Sequence, residues 1–358
     1  MTNGFAAQAR IALSEHAAVI DRLCEHMVEH NAEVESRADG KILRYAGCSA
    51  RFSDQGGMTL VDVTAPSLES LYFVRMAIAS HILEFAGQEA PVIKWVGDGN
   101  SLHHPPNFRM LEVRKVQDVT PHMRRITLSG EDVVRFAPLD ALHVNVLLQR
   151  PEAVEPQWPR VGPDGCILWE NPQIRPAARK YTVRSVDIDA GTIDIDFVIH
   201  DDAGPGSRFA ERAGIGDRVG VIGPGGGGLV DADWYLFAGD ETALPAIARM
   251  LEHLPETARG KAFIEVADAS EIQPLTFDAA VDVEWLCRDG AEAGTTDLLI
   301  NAVSRTAFPE DGSTIYVWAG CEFDAFRAIR SHMRGERGLK KHEHLVVSYW
   351  RRGAREEN

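Results

Sequence analysis

The residues best suited to chemistry in this sequence form one short run at the start of a predicted strand, Arg179-Lys180-Tyr181-Thr182-Val183-Arg184. An aromatic side chain such as Tyr181 can cover a large flat ring such as the isoalloxazine of a flavin. The hydroxyl of Thr182 can form a hydrogen bond with the flavin N5. Arg179 can hold the pyrophosphate dianion of FAD through forked, charge-assisted contacts. The run is therefore typical of a flavin site.

A second run of suitable residues follows the next predicted strand, Ile193–Ile199. His200 ends that strand, and Gly204-Pro205-Gly206-Ser207 then opens a predicted helix. The first turn of a helix presents unpaired backbone N–H groups, which suit a pyrophosphate. An ordinary strand–turn–helix, with Ser207 as a cap and His200 on the surface, has the same pattern. The position of this run after the Arg-x-Tyr-Thr motif favours a phosphate site.

Two glycine-containing segments are candidates for nucleotide binding. The run Gly223–Gly228 matches Gly-x-Gly-x-x-Gly, but the dinucleotide fingerprint needs a following helix and here a predicted strand follows. We interpret it as a flexible loop that joins two domains. The better candidate is Gly239-Asp240-Glu241-Thr242-Ala243-Leu244-Pro245, which links an apolar strand to a helix with Pro245 near its first turn. A simple capping box, with Thr242 as the cap, is the alternative.

The charge of the chain is uneven. The formal net charge is −16, which disfavours nucleic acid as a partner. From residue 324 to the end, nine Lys and Arg residues outnumber five Asp and Glu residues. This segment is either a solvated basic tail or a basic wall that faces an anionic substrate or nucleotide. The candidate contacts to an anionic chelate or to a nucleotide phosphate are Lys340, Lys341, Arg351 and Arg352. A 2′-phosphate contact from the two arginines would favour NADPH.

Several classes of protein are disfavoured by what the sequence lacks. No run of about eighteen apolar residues occurs, so membrane insertion is not expected. The first residues do not resemble a signal peptide, and the five scattered cysteines indicate a reducing cytoplasm. No Cys-x-x-Cys pair is present, which disfavours an iron–sulfur cluster. Motifs of serine hydrolases, phosphate-loop NTPases and zinc proteases are also missing.

One group of histidines has the spacing of a metal site. His26 and His30 lie at i and i+4 of a predicted helix, and Cys24 and His81 are other potential ligands. An exposed helix surface gives the same pattern, and we favour that interpretation. No metal site is predicted.

The order of predicted elements indicates a multidomain protein. Residues 1–97 are predicted to form a small α+β domain of unknown role, with Ala12, Val19, Leu23 and Met27 at helical spacing and Ser67 capping a second helix. Residues 108–228 contain six short predicted strands with turn signals between them, which favours an antiparallel β-barrel that binds FAD. In residues 229–358 strands alternate with helices, as in a parallel-sheet α/β domain that binds NAD(P)H. A barrel followed by such a domain is a ferredoxin-reductase-like layout.

Residues 108–352 resemble the siderophore-interacting proteins, which are cytoplasmic FAD-dependent ferric-siderophore reductases. The motifs that carry the resemblance are the Arg179–Arg184 run, Gly204–Ser207, Gly239–Ile247, Trp285-Leu286-Cys287-Arg288, Val317-Trp318-Ala319-Gly320 and Tyr349-Trp350-Arg351-Arg352-Gly353. The resemblance implies that Arg179, Tyr181 and Thr182 contact flavin. It also implies that Gly204–Ser207 hold the pyrophosphate and that Asp240–Ala243 lie near the nucleotide.

Two positions depart from the pattern of this family. Asn145 stands where the family often has Lys, which removes a positive contact to substrate or nucleotide. Gly320-Cys321-Glu322 replaces the usual Ala-Gly-Glu. The first hundred residues resemble a small domain often fused to such reductases, through Leu23–His26, His81–Phe85 and Lys94-Trp95. That second resemblance implies no activity.

These observations predict a reductase that passes electrons from NADPH or NADH through FAD to a ferric siderophore. The cofactor-binding residues predicted for it are Arg179, Lys180, Tyr181, Thr182, Val183, His200, Gly204, Gly206, Ser207, Asp240, Glu241, Thr242 and Ala243. Two alternatives stay open at this point. One is a flavin reductase for a carrier protein or a quinone, and the other is a siderophore-binding protein without enzymatic activity.

Overall fold

The computed structural model describes residues 4–200 and 204–354. Residues 1–3, 201–203 and 355–358, which belong to the three predicted domains, lie outside the described residues. The described chain divides into two compact units. Residues 4–108 and 150–175 form the first unit, and residues 109–149 with the described part of 176–354 form the second.

The first unit contains an antiparallel sheet and two helices. Its elements are β1 (Phe5–Ala12), α1 (His16–Glu29), β2 (Glu33–Arg37), β3 (Gly40–Tyr45), β4 (Cys48–Asp54), β5 (Met58–Ala65), α2 (Leu68–Ala86) and β6 (Trp95–Gly97). The strands hydrogen-bond in the order β2-β3-β4-β5-β1-β6. Ser67 accepts a hydrogen bond from the Ser70 N–H at 3.0 Å, which confirms the predicted cap of α2.

The prediction that Ala12 belongs to the first helix was wrong. Ala12 is the last residue of β1, and α1 begins only at His16. The alternate residues Ala7, Ala9 and Ile11 of β1 are buried, and the strand pairs with β5 on one side and β6 on the other. The pairing of β1 with strands on both sides therefore outweighs the helical spacing of Ala12 with Val19, Leu23 and Met27.

The second unit begins with the barrel. The elements from Phe108 onward are β7 (Phe108–Thr120), β8 (Met123–Ser129), β9 (His143–Leu148), β10 (Arg160–Val161), β11 (Ile167–Leu168), β12 (Ala177–Asp187), β13 (Thr192–Val198), α3 (Pro205–Arg212) and β14 (Arg218–Gly225). Six of these strands close into a barrel in the order β12-β13-β8-β7-β14-β9. Val113, Ile126, Val146 and Ile195 are among the residues that fill its core.

The ribbon formed by β10 and β11 belongs to the first unit although it lies between two barrel strands in sequence. The indole N–H of Trp95 donates to the Asp164 carbonyl at 2.8 Å, and the Trp95 backbone N–H donates to the Pro163 carbonyl at 3.1 Å. The segment between β9 and β12 therefore completes the core around Trp95.

The remaining elements form a five-stranded sheet with helices on both faces. They are β15 (Trp234–Gly239), α4 (Leu244–Leu251), β16 (Arg259–Val266), β17 (Ala280–Cys287), α5 (Leu298–Arg305), β18 (Ile315–Glu322), α6 (Phe323–Ser331) and β19 (His344–Trp350). The strands are all parallel, in the order β17-β16-β15-β18-β19. One core packs α4 against the sheet, and a second core contains Leu299 and Val303 of α5 with Ile329 of α6.

The barrel, the parallel sheet and the N-terminal α+β unit confirm the predicted fold class. In parallel sheets the carboxyl ends of the strands meet at one edge, where ligands bind. Here that edge brings together the residues after β15, β18 and β19. No helix in the described ranges is both long and apolar enough to cross a membrane.

Candidate functional site

The Arg-x-Tyr-Thr run lies on β12, which pairs antiparallel with β9. In this register Thr182 is opposite His143, and Lys180 is opposite Asn145. Residues directly opposite each other in an antiparallel pair share one face of the sheet. The exposed Lys180 therefore stands beside the exposed Asn145.

Tyr181 joins the Arg-x-Tyr-Thr run to the glycine run before α3. Its ring centroid lies 4.3 Å from that of the buried Phe197. A Cβ atom built on Gly206 would lie 1.8 Å from the Tyr181 hydroxyl, so only glycine fits at this point. Burial raises the pKa of Tyr181, although the charge of Arg179 acts in the opposite direction. The phenol is therefore a neutral donor at the start of α3.

The start of α3 has the features of an anion site. Gly204 is its N-terminal cap and makes no side-chain capping bond. Ser207 is buried, and its hydroxyl accepts a 3.4 Å hydrogen bond from the backbone N–H of the exposed His200. Ser207 is thus not the cap that the simple strand–turn–helix interpretation required. The first-turn N–H groups of α3 lie beside the Tyr181 hydroxyl, because that hydroxyl contacts Gly206.

Thr182 gives a direct test of whether these residues fit FAD. The residue is 4% exposed, and within the described ranges its Oγ1 has no partner with hydrogen-bonding geometry. Thr182 is close enough to the Tyr349 hydroxyl to lower the pKa of that phenol, against the larger effect of burial. An unpaired buried hydroxyl in the Arg-x-Tyr-Thr run is the feature expected of a residue that serves a bound ring. The residues present fit FAD.

Asp240 is the centre of the nucleotide candidate at the carboxyl edge of the sheet. Its Oδ1 accepts from Thr242 N at 3.0 Å and Thr242 Oγ1 at 2.5 Å, and its Oδ2 accepts from Glu322 N at 3.1 Å and Trp350 Nε1 at 2.8 Å. These bonds connect the ends of β15, β18 and β19. Burial raises the pKa of Asp240, and the charge of Glu241 adds to this effect.

The capping box at Thr242, which was the alternative interpretation of this segment, does not form. The N-terminal cap of α4 is Ala243, which makes no side-chain capping bond, and the Thr242 hydroxyl bonds to Asp240 instead. Pro245 lies in the first turn of α4, as predicted. The loop therefore orients Asp240 rather than capping the helix.

Glu241 pairs with an arginine that we had not predicted as a site residue. The guanidinium of Arg288 donates to the two Glu241 oxygens at 2.6 and 2.8 Å, and it lies 3.4 Å from Glu265 Oε1. The Glu265 carboxylate also accepts from Thr296 at 3.1 Å. Burial raises the pKa of Glu265 against the opposing effect of the Arg288 charge. The only signal for this arginine in the sequence was its place at the end of the Trp285–Arg288 motif.

A second unpredicted contact joins the barrel to the last strand. Tyr349 Oη on β19 lies 2.5 Å from Nε2 of the buried His143 on β9. Burial, assisted by the charges of Lys180 and Arg249, lowers the pKa of His143 to about 4. Burial raises the pKa of Tyr349. The phenol therefore donates to a neutral imidazole, whose hydrogen is then on Nδ1.

The four predicted chelate-binding residues lie at the two ends of β19. Lys340 and Lys341 precede the strand, and Arg351 and Arg352 follow it. A strand of seven residues spans roughly 20 Å. Only the arginine pair lies at the same edge as Asp240. Its Arg351 guanidinium is 4.6 Å from the centroid of the Phe323 ring, and the Arg352 N–H donates to Glu322 Oε1 at 3.0 Å.

The glycine run 223–228 is closely packed. Its first three residues belong to β14, and no helix follows, as predicted. Cβ atoms built on Gly226, Gly227 and Gly228 would lie 2.8 Å from His143 Nδ1, 2.6 Å from Leu345 and 1.9 Å from the Leu139 carbonyl. The glycines therefore allow a close approach of the backbone, which is a more specific role than that of a flexible loop.

Family models match three parts of the chain. Residues 112–228 match the siderophore-interacting FAD-binding domain, and residues 232–353 match the siderophore-interacting protein model. Residues 8–96 match the family described as uncharacterized protein conserved in bacteria (DUF2218).

Individual relatives agree with these matches. The ferric vibriobactin reductase ViuB of Vibrio cholerae is 31% identical over 253 residues, which are 70% of this chain and 91% of that protein. The crystal structure of a siderophore utilization protein from T. fusca is 43% identical with a TM-score of 0.63, over 72% of this chain and 97% of that chain. The siderophore-interacting protein SipS from Aeromonas hydrophila is 32% identical with a TM-score of 0.60, over 70% and 94% of the two chains.

Proposed function

The chain belongs to the siderophore-interacting protein family, and on that premise we propose that it reduces ferric siderophores with electrons from NADPH or NADH and releases Fe(II) in the cytoplasm. The observation that carries the proposal is the close approach of Tyr181 to Gly206 in the first turn of α3. This approach supports one site for the Arg-x-Tyr-Thr run and the Gly204–Ser207 run.

The residues on β12 and α3 would hold FAD in the barrel. Arg179 is suited to the pyrophosphate, together with the first-turn N–H groups of α3 and the buried Ser207. Tyr181 and Thr182 would face the flavin ring, with Lys180 and His200 at its margins, whereas the predicted Val183 side chain is buried in the barrel core. FAD held there would supply the chemistry that accepts a two-electron hydride from a nicotinamide nucleotide and passes single electrons to two successive Fe(III) ions.

The carboxyl edge of the parallel sheet would hold the nucleotide. Asp240 fixes the ends of three strands, and Thr242 and Ala243 then lead the backbone into α4. Because the Glu241 carboxylate is paired with Arg288, its charge is largely neutralised toward an anionic nucleotide. These residues therefore hold the strand ends in place and reduce the negative charge at this edge of the sheet. They take no part in proton transfer.

The arginine pair after β19 would bind the anionic chelate at the same edge. Siderophores are hard, oxygen-rich ligands that hold Fe(III) far more tightly than Fe(II), so reduction releases the metal. Arg351 and Arg352 are exposed, and they lie where Trp350 contacts Asp240. Lys340 and Lys341, at the other end of β19, could contact a different part of a long ligand or serve solubility alone.

An anaerobic absorbance titration tests the proposal. The purified protein should be yellow, should bleach with NADPH or NADH, and should recover its colour on addition of a ferric siderophore while a ferrous chelator traps Fe(II). Bleaching without any response to ferric chelates would instead favour electron transfer to a carrier protein or quinone. A protein that cannot be loaded with FAD would overturn the reductase and favour a siderophore-binding protein.

A further inference from the structure

Three imidazoles come together on the surface of the first unit, outside the site described above. His26 and His30 lie one turn apart on α1, and His81 lies on α2. The ring centroids of His26 and His30 are 4.8 Å apart, and those of His26 and His81 are 4.5 Å apart. We call these three residues the histidine cluster.

The backbone beneath the histidine cluster is fixed by core packing. Leu23 on α1 and Ile78 and Ile82 on α2 are buried in the same core. The Phe85 ring closes one side, with its centroid 5.7 Å from that of His81 and 6.1 Å from that of His26. The cluster therefore rests on two packed helices, and its rings can turn while its Cα atoms stay in place.

The ring nitrogens of the cluster are largely available. Within residues 4–200 and 204–354, those of His26 and His30 have no hydrogen-bond partner. His81 Nδ1 lies 3.4 Å from Glu84 Oε2, a distance at which the carboxylate can orient the ring. Metal-binding histidines commonly have a carboxylate on their second nitrogen. Surface histidines without a ligand, in contrast, have no reason to come together from two different helices.

We propose that the histidine cluster binds one divalent first-row transition-metal ion. Imidazole is the preferred ligand of Zn, Cu, Ni and Fe ions in this class. When two histidines bind one ion at a nitrogen distance of about 2.0–2.1 Å, their ring centroids lie roughly 5 Å apart. The two measured centroid distances are close to this value.

Binding requires the rings to rotate. As they stand, no three His, Cys, Asp or Glu side chains of the described residues surround a point that could hold a metal ion. The i and i+4 spacing of His26 and His30 allows both to bind one ion through side-chain rotation alone. His81 completes three protein ligands and leaves a fourth position for water or another small ligand.

Carboxylates flank the histidine cluster in sequence. The exposed Glu25 and Glu29 precede His26 and His30 on α1, and the exposed Glu84 follows His81 by three residues on α2. If the reductase proposed above releases Fe(II), this ion is one that the cluster could receive. The metal site itself does not rest on that activity, because its test measures bound metal only.

The test is equilibrium dialysis of the full-length protein against zinc sulfate, with bound zinc measured by atomic emission. We expect one zinc per chain in the wild type. His26→Ala, His30→Ala and His81→Ala should each weaken binding at least tenfold, whereas His103→Ala, an exposed histidine of the same unit, should leave it unchanged. Zinc binding unaffected by the three cluster substitutions, or equally weakened by His103→Ala, would overturn the proposal.

X-ray absorption of the zinc-loaded wild type covers the case in which a variant does not fold. Three imidazole nitrogens at about 2.0–2.1 Å support the site. A shell of oxygen atoms alone, or no bound zinc, would overturn it. A protein that binds zinc in this way but does not reduce ferric chelates would contradict only the proposed function.

Discussion

The Tyr349 hydroxyl on β19 donates to Nε2 of the buried His143 on β9, across 2.5 Å and 206 positions of sequence. Tyr349 also covers Gly320, where an added Cβ would lie 2.9 Å from its ring, and His143 is the register partner of Thr182. One hydrogen bond thus joins the end of the parallel sheet to the flavin motif on the barrel.

Tyr349→Phe should destabilise the second unit while leaving the first unit intact. The substitution leaves His143 Nε2 buried without a partner, which costs about 1–3 kcal/mol of unfolding free energy. Urea unfolding followed by tryptophan fluorescence measures the change. The hydroxyl of the exposed Tyr45 forms no hydrogen bond with a described residue, so Tyr45→Phe is the matched control and should change stability little. Equal losses in the two variants would show that the contact contributes nothing.

The lowered pKa of His143 should reduce the unfolding free energy of the protein in weak acid. Its pKa is lowered to about 4 by burial, then by the charges of Lys180 and Arg249. Because the unfolded state has a pKa near 6.5, it binds more protons than the folded state between these two values. The contribution to stability is therefore complete above about pH 6.5 and falls by about 3 kcal/mol toward pH 4.

Unfolding free energies of wild type and His143→Gln between pH 4 and 7 measure this effect. The wild type should lose more stability on acidification than the variant does. Asp240 acts in the opposite direction, because burial raises its pKa and a protonated Asp240 favours the folded state. Since Asp240 is present in both proteins, its effect cancels in the comparison. Parallel pH profiles would contradict the assignment of the effect to His143.

Gly206→Ala should weaken FAD binding, and a second substitution should restore part of the loss. The new Cβ would lie 1.8 Å from the Tyr181 hydroxyl but 2.9 Å from the ring carbon that carries it. Tyr181→Phe removes the nearer atom, so the double variant should bind FAD more tightly than Gly206→Ala alone. Fluorescence titration of the apoprotein with FAD gives the dissociation constants, and we expect at least a tenfold loss in the single variant.

The control for this series is Gly214→Ala, just beyond the C-terminal end of α3, where an added Cβ meets only Asp217 Oδ2 at 3.8 Å. This variant should bind FAD like the wild type. If the Gly206→Ala variant also binds normally, the Tyr181–Gly206 contact does not form part of the FAD site.

Arg351→Ala should raise the KM for a ferric siderophore or for the nicotinamide nucleotide by roughly three- to tenfold, and the effect should shrink at high salt because exposed charges are screened. Lys115→Ala removes an exposed positive charge on β7, outside the candidate site, and is the matched control. Steady-state kinetics with each substrate varied in turn measures both variants. Unchanged KM values for both substrates in Arg351→Ala would exclude it from the site.

The sequence was most informative where hydrophobic pattern and local motifs agree. All six barrel strands and all five parallel strands were predicted, because their apolar residues alternate or run together. The strands β2 and β4 were missed for opposite reasons. Glu33–Arg37 is a charged edge strand with no buried residue, and Cys48–Asp54 buries mostly small side chains. Glu33–Arg37 therefore lacks the apolar alternation that marks a strand, whereas Cys48–Asp54 alternates but has only Phe52 as a large buried residue.

Contacts between distant segments could not be predicted. His143 and Tyr349 each look like ordinary strand residues, and Glu241 and Arg288 pair only because β15 and β17 end at the same edge of the sheet. Conversely, Lys340, Lys341, Arg351 and Arg352 are close in sequence but are separated by the length of β19. The motifs therefore identified the chemistry, whereas the sheet register determined which charges could act together.

Thr182→Val should separate function from stability, because the two are expected to change in opposite directions. The Thr182 hydroxyl is buried and forms no hydrogen bond of good geometry with a described residue, so replacing it with a methyl group of similar size should leave stability unchanged or raise it by about 1 kcal/mol. If the hydroxyl serves the bound flavin, the same change should slow FAD reduction by NADPH or NADH at least tenfold in stopped-flow absorbance.

Thr127→Val, which removes a hydroxyl that donates to Asp194 at 2.6 Å elsewhere on the barrel, should show the reverse pattern, with lower stability and an unchanged rate. A Thr182→Val protein that reduces its flavin at the wild-type rate would show that the unpaired hydroxyl has no role toward FAD.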